Sequence, residues 1–225
     1  MAQTLGVNKT NSSDPTIVVP AGTLEGGLII ALIACTRDDG VTVVPTGFAI
    51  EESGLMPING TGATSPPLAY IYTKLADADD EANAGTKTYS WQLGGTSQLG
   101  ALISTDAEEW GEFATNLITG THASIDAPSV TTTTPDEIVF SCMVLDSGSA
   151  TDPGKPSGTE RVDDEFGAAN DGGARLTVIE EVYPTAGATG AKTFTHASNE
   201  SNGFTFSVRN AAVTPPVEEG DYILD

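Results

Sequence analysis

Gly26-Gly27-Leu28-Ile29-Ile30-Ala31-Leu32-Ile33-Ala34-Cys35 sets eight consecutive apolar side chains between a glycine pair and the polar turn Thr36-Arg37-Asp38-Asp39-Gly40. Eight residues are too few for a typical buried helix and far short of the roughly 18 that cross a bilayer. Bounded by turn residues, they read as a strand covered on both faces. The feature recurs. Asp136-Glu137-Ile138-Val139-Phe140-Ser141-Cys142-Met143-Val144-Leu145 has the same shape, with Leu28 matched to Ile138, and Pro156-Ser157-Gly158 follows it much as Pro45-Thr46-Gly47 follows the first run.

A second correspondence points the same way. Gly85-Thr86-Lys87-Thr88-Tyr89-Ser90-Trp91 and Gly190-Ala191-Lys192-Thr193-Phe194-Thr195-His196 share Lys, Thr, an aromatic and a hydroxyl residue in order, 105 positions apart. The same step carries Leu99, Ala101 and Ile103 onto Phe204, Phe206 and Val208, preserving the alternation that puts every second side chain on one face of a strand. The chain therefore reads as all-β, a single antiparallel β-sandwich of jelly-roll-like type built from two duplicated halves, about 15–120 and 121–213. Extended arms, 1–14 and 214–225, flank a body spanning 15–213.

Within that plan Thr16-Ile17-Val18-Val19 and Val41-Thr42-Val43-Val44 are short strands, and Leu68 to Leu75 corresponds to Arg175 to Tyr183. Glu51 to Pro67 and Asp146 to Asp152 are loops. Val162-Asp163-Asp164-Glu165 and Asn170-Asp171-Gly172-Gly173 read as an acidic connection. Ser104 to Phe113 is the one helical turn, because acids crowd its start and Trp110 and Phe113 fall three apart on one face. That pair, packed over one end of the body, is a candidate partner contact. At the tail, Tyr222, Ile223 and Leu224 are apolar on an acidic segment and are candidates for docking on a neighbour.

Acids outnumber bases 31 to 9, a formal net charge of −22. Such a field repels nucleic acid and anionic membranes. Met1 to Thr10 lacks the apolar segment of a secretory signal, so synthesis and retention in a cytoplasm are expected. Cys35 and Cys142 fall an odd and an even number of steps along matched strands, which places them on opposite faces and predicts free thiols.

Asp77-Ala78-Asp79-Asp80-Glu81 has the acidity of a calcium loop but not its glycine or terminal glutamate, and reads as a solvated turn. His122 and His196 lie in loop-like or strand-end settings, beside no nucleophile motif and without metal-ligand spacing. No catalytic residue, metal ligand or cofactor is expected, and the chain reads as non-enzymatic.

Pro20-Ala21-Gly22, then Glu25-Gly26-Gly27 and its apolar strand, then Pro45-Thr46-Gly47-Phe48, and later Ala186-Gly187-Ala188-Thr189-Gly190, resemble β-sandwich domains of tailed-bacteriophage virion proteins. There the pattern is a Gly-Asp, an apolar strand and a Pro-x-Gly-Trp turn; here Gly27 replaces the Asp, Phe48 the Trp, and Thr159 stands in the second copy. The resemblance implies a virion structural protein, with capsid decoration of the outer head surface as the first expectation. It would be held through its terminal arms to the major capsid protein or another virion protein, as a homo-oligomer with a trimer as candidate, and no nucleic acid or membrane as partner. The alternative it implies is a glycan-binding tail or adhesin module using Trp110, Tyr70, Tyr72 or loop acids with calcium.

Overall fold

The computed structural model describes residues 2–11, 14–35, 41–52, 68–93, 98–118, 120–146, 153–166 and 174–211. Its first half runs β1 (Thr4–Asn11), β2 (Thr16–Val18), β3 (Leu28–Cys35), β4 (Val41–Val43), β5 (Ala49–Glu52), β6 (Leu68–Leu75), α1 (Ala78–Ala82), β7 (Thr88–Ser90), β8 (Gln92–Leu93) and β9 (Gln98–Thr105). The second runs β10 (Glu109–Leu117), β11 (His122–Ala127), β12 (Thr131–Thr132), β13 (Glu137–Asp146), β14 (Thr159–Phe166), β15 (Ala174–Tyr183), β16 (Gly187–Ala188), β17 (Lys192–Asn199) and β18 (Ser201–Arg209).

The long strands form two five-stranded antiparallel sheets, one from each half, ordered β1-β9-β3-β6-β5 and β10-β18-β13-β15-β14. The two orders are the same order, and both apolar runs, β3 and β13, are the central strands. A jelly-roll-like connection, with successive strands crossing between facing sheets, is not the one found: each half keeps its long strands in its own sheet. Ile30 pairs with Ile103 and Ile138 with Val208, so Ile30, not Leu28, corresponds to Ile138. The two-residue slip leaves the parity unchanged.

Parity assigns the layers. Ile30, Leu32 and Ala34 of the first sheet share one apolar core with Ile138, Phe140, Cys142 and Val144 of the second. Rim contacts show that these faces meet: the Thr4 hydroxyl donates to Glu180, and Lys9 Nζ reaches Asp164 at 3.3 Å. The opposite faces are covered by small ribbons. β2 and β7 pair over the first sheet, where a Cβ on Gly100 would run into Ile17 and Pro15. β11 and β17 cover the second, and Ile125 and Phe194 pack there with Met143, Leu145 and Ile179. Burying an Ile or Phe side chain fully contributes about 1.5–3 kcal/mol, so strands apolar on both faces stabilise two interfaces at once.

Three expectations are corrected here. Residues 4–11 are not a free arm but the edge strand β1, paired in register with β9, so the first module begins earlier and ends near Thr105. Glu109 to Leu117 is strand β10, not helix. Trp110 opposes Val208 and Phe113 opposes Phe206, three residues facing two; the extra residue is a β-bulge that returns both aromatics to the inner face. Val162 to Glu165 belongs to strand β14, not to a connection, because its acids are neutralised across the sheet: Asp163 by Arg175 at 2.8 Å and Lys155 at 2.5 Å. Residues 53–67, 147–152, 167–173 and 212–225, which include much of the expected loops and the tail, lie outside the described residues.

Asp106-Ala107-Glu108 joins the halves. Asp106 N donates to Gln3 O at 3.1 Å, Leu28 N to the carbonyl of buried Ala107 at 2.7 Å, and Glu108 N to Arg209 O at 3.1 Å.

Cys142 is a free thiol, fully buried in the shared core, and burial pushes its pKa well above the ordinary value. Cys35 closes β3, and its side chain lies outside what is described. In a C35S background a thiol reagent should leave native Cys142 unmodified for hours and modify it rapidly in denaturant; fast native labelling would place Cys142 outside the core.

Candidate functional site

The most acidic stretch of the sequence folds into α1. Asp77 caps it: its Oδ1 accepts from Asp79 N at 3.0 Å and Asp80 N at 2.9 Å, while Asp80 Oδ2 accepts from Asp77 N at 3.1 Å. This is a reciprocal capping box, so Asp80 is turned inward and fully buried. Two lysines meet it there. Lys74, three residues before the cap, bonds to Asp80 and, at 2.8 Å, to Asp77. Lys87 Nζ lies 2.7 Å from both Asp79 and Asp80, and the Tyr89 hydroxyl donates to Asp80 Oδ1 at 2.5 Å. Both ammonium groups also stand over the Tyr89 ring, at 5.5 and 5.2 Å. Burial alone would raise the Asp80 pKa, but hydrogen bonds from Lys74, Lys87 and Tyr89 outweigh it and hold the carboxyl far below its ordinary value. For both lysines burial is likewise outweighed, and each is held well above its own. The solvated turn expected here is thus a latch tying β6, α1 and β7 together. Each Asp80 oxygen already faces an ammonium group, the opposite of what a hard cation requires.

A second latch closes the rim where β1 meets β14. Arg161 Nε bonds Glu180 at 2.7 Å beside Thr4, and Arg175 and Lys155 share Asp163. Including these, all eight Lys and Arg side chains among the described residues pair with carboxylates: Lys9, Lys74, Lys87, Lys155, Arg161, Arg175, Lys192 and Arg209. With 31 acids against 9 bases, the uncompensated charge left to face solvent is anionic.

Trp110 and Phe113, expected as a partner contact, are half-buried against the shared core, and Trp110 stacks on Phe206 at 4.8 Å with planes 16° apart. One face of its indole is therefore occupied. Tyr70 and Tyr72 stack on each other at 6.5 Å, Tyr72 being buried. Tyr222, Ile223 and Leu224 lie outside the described residues.

His122 and His196, 74 positions apart, come together. β11 pairs antiparallel with β17, His122 opposite Asn199 and Ser124 opposite Thr195, so two steps on one strand face four on the other. That irregularity and the one-residue break at Glu200 between β17 and β18 bring both rings to buried Ser201, centroids 5.7 Å apart. Each Nε2 lies 2.8 Å from Ser201 Oγ. Each Nδ1 faces a backbone carbonyl, Gly120 at 2.8 Å and Ala197 at 2.7 Å. A carbonyl only accepts, so both Nδ1 atoms carry hydrogen and both Nε2 atoms present lone pairs to the hydroxyl. Burial first, then the neighbouring His122, lowers the His196 pKa against the opposing effect of the Ala197 carbonyl. The group behind each ring is a carbonyl where an acyl-transfer triad carries a carboxylate, and the hydroxyl is buried. Sequence reasoning missed the cluster because each histidine looked isolated. The 105-residue step does carry Trp91, fully buried in the first half, onto His196, and a polar ring in a core aromatic's place was the available signal.

No protein-family model, curated protein or solved structure matches the chain.

Proposed function

We propose that the chain is a non-enzymatic structural building block, a duplicated β-sandwich whose most specific role is that of a virion surface protein decorating a tailed-phage head. The observation that carries this reading is the pairing of every described basic side chain with acids of its own fold. The latches tie layers together, and the excess acid that remains would be repelled by packaged nucleic acid and tolerated outside a shell. The repeated strand order around one core suits a rigid block and an origin by duplication of one module. On this reading residues 214–225, with Tyr222, Ile223 and Leu224, grip a major capsid protein or a sister copy in a homo-oligomer.

In the glycan-binding alternative, Trp110 would offer a sugar only the indole face that is not stacked on Phe206. The test is fractionation of particles followed by mass spectrometry, with the full chain and a chain lacking 214–225. The full chain should travel with heads, and the shortened chain should fold with an unchanged melting temperature yet fall at least tenfold in particle occupancy. Absence from particles, together with binding on a glycan array, would overturn the proposal.

A further inference from the structure

The two imidazoles around Ser201 leave a deficit. Both Nδ1 hydrogens are committed to carbonyls, so both Nε2 atoms arrive as acceptors 2.8 Å from one hydroxyl. That hydroxyl has one hydrogen and satisfies one ring. The other ring faces an oxygen lone pair with its own lone pair, an arrangement that a cation resolves.

We propose that His122 Nε2, His196 Nε2 and Ser201 Oγ form a binding site for one divalent transition-metal ion of the zinc type. Imidazole nitrogen suits such ions, which sit about 2.0–2.1 Å from it, within reach of three donors already gathered at a common point. The carbonyls behind the rings do what the outer partners of metal-bound histidines do: they fix the tautomer and hold each ring's orientation. Both rings are half-exposed, giving the ion an entry path and leaving its remaining positions to water. The chain's −22 charge raises the local concentration of any divalent cation, but a nitrogen pair selects against magnesium and calcium. The site is independent of the structural role proposed above.

The test uses the untagged full chain and Zn2+, with Ni2+ as a second probe and Mg2+ as control, read by isothermal titration calorimetry, melting temperature and histidine NMR. One Zn2+ should bind per chain. At a concentration roughly a hundredfold above Kd the melting temperature should rise by about 5 °C, and Mg2+ should leave it unchanged. H122Q and H196Q should each weaken Zn2+ binding at least tenfold while melting within a few degrees of the parent, and both histidine spectra should shift in the parent on Zn2+ addition. Should either variant unfold, the NMR shifts in the parent chain decide the matter. Zn2+ that leaves both histidine spectra unmoved, or binding retained in both variants, overturns the proposal. So does a proton as sole occupant, seen as histidine titration with pH and no response to Zn2+.

Discussion

Asp80→Ala is expected to cost about 3–5 kcal/mol, the loss seen when one partner of a buried ion pair is removed. The carboxylate is fully buried, and its departure leaves Lys74 and Lys87 over the Tyr89 ring with only the exposed Asp77 and Asp79 as counter-charges. Denaturant melts of the two proteins measure it, and a difference under about 1 kcal/mol would mean that the latch is no stronger than a surface pair. Acid supplies an independent readout. The folded carboxyl is held below its unfolded value near 3.9, so the folded state binds fewer protons. Its contribution is present above about pH 5 and disappears as the pH falls through the folded pKa. The lysines are held above their unfolded value, and their contribution is lost only as the pH rises beyond about 10. The stability gap between parent and Asp80→Asn should therefore hold constant from about pH 5 to 9 and narrow below pH 4.

Phe206→Ala is expected to cost a further-ranging 3 to 5 kcal/mol or so, the usual toll of emptying a phenylalanine's place in a core. Phe206 is fully buried between Trp110 and Phe140, with centroids 4.8 and 4.9 Å away, so truncation opens a void bounded by two large rings. For a domain of this size the melting temperature should fall by about 10 °C, and Trp110 fluorescence should shift to the red as its stacking face is wetted. Phe206→Leu should lose less than half as much. An unshifted Trp110 spectrum in Phe206→Ala would contradict the stacking.

The sequence made the central strands legible because their signal is local: β3 and β13 are apolar on both faces, and the alternation at Leu99, Ala101 and Ile103 reappears at Phe204, Phe206 and Val208. What it hid depends on distant partners. β14 reads as an acidic loop until Arg175 and Lys155 are brought beside Asp163. Trp110 and Phe113 have helical spacing because a bulge adds one residue to a two-residue period. β1 is polar and small, and only its register with β9 makes it a strand. The stretch from Asp77 to Glu81 reads as a solvated turn, because the capping box that makes it a helix shows only once Asp80 is turned inward against Lys74 and Lys87. The histidine cluster needed a strand pairing, an irregularity and a step from one sheet to another between β17 and β18, none of which leaves a mark in spacing.

The short connector between the halves also fixes where the molecule can be held. Gln3 and Arg209 hydrogen-bond to Asp106 and Glu108, two residues apart, so the beginning and the end of the described fold emerge side by side at one pole. A tether at either end of the described fold therefore grasps the same spot. The same geometry makes a circular permutant natural: a brief bridge between the termini and a cut near Ala107 would exchange the order of the halves without asking any strand to move.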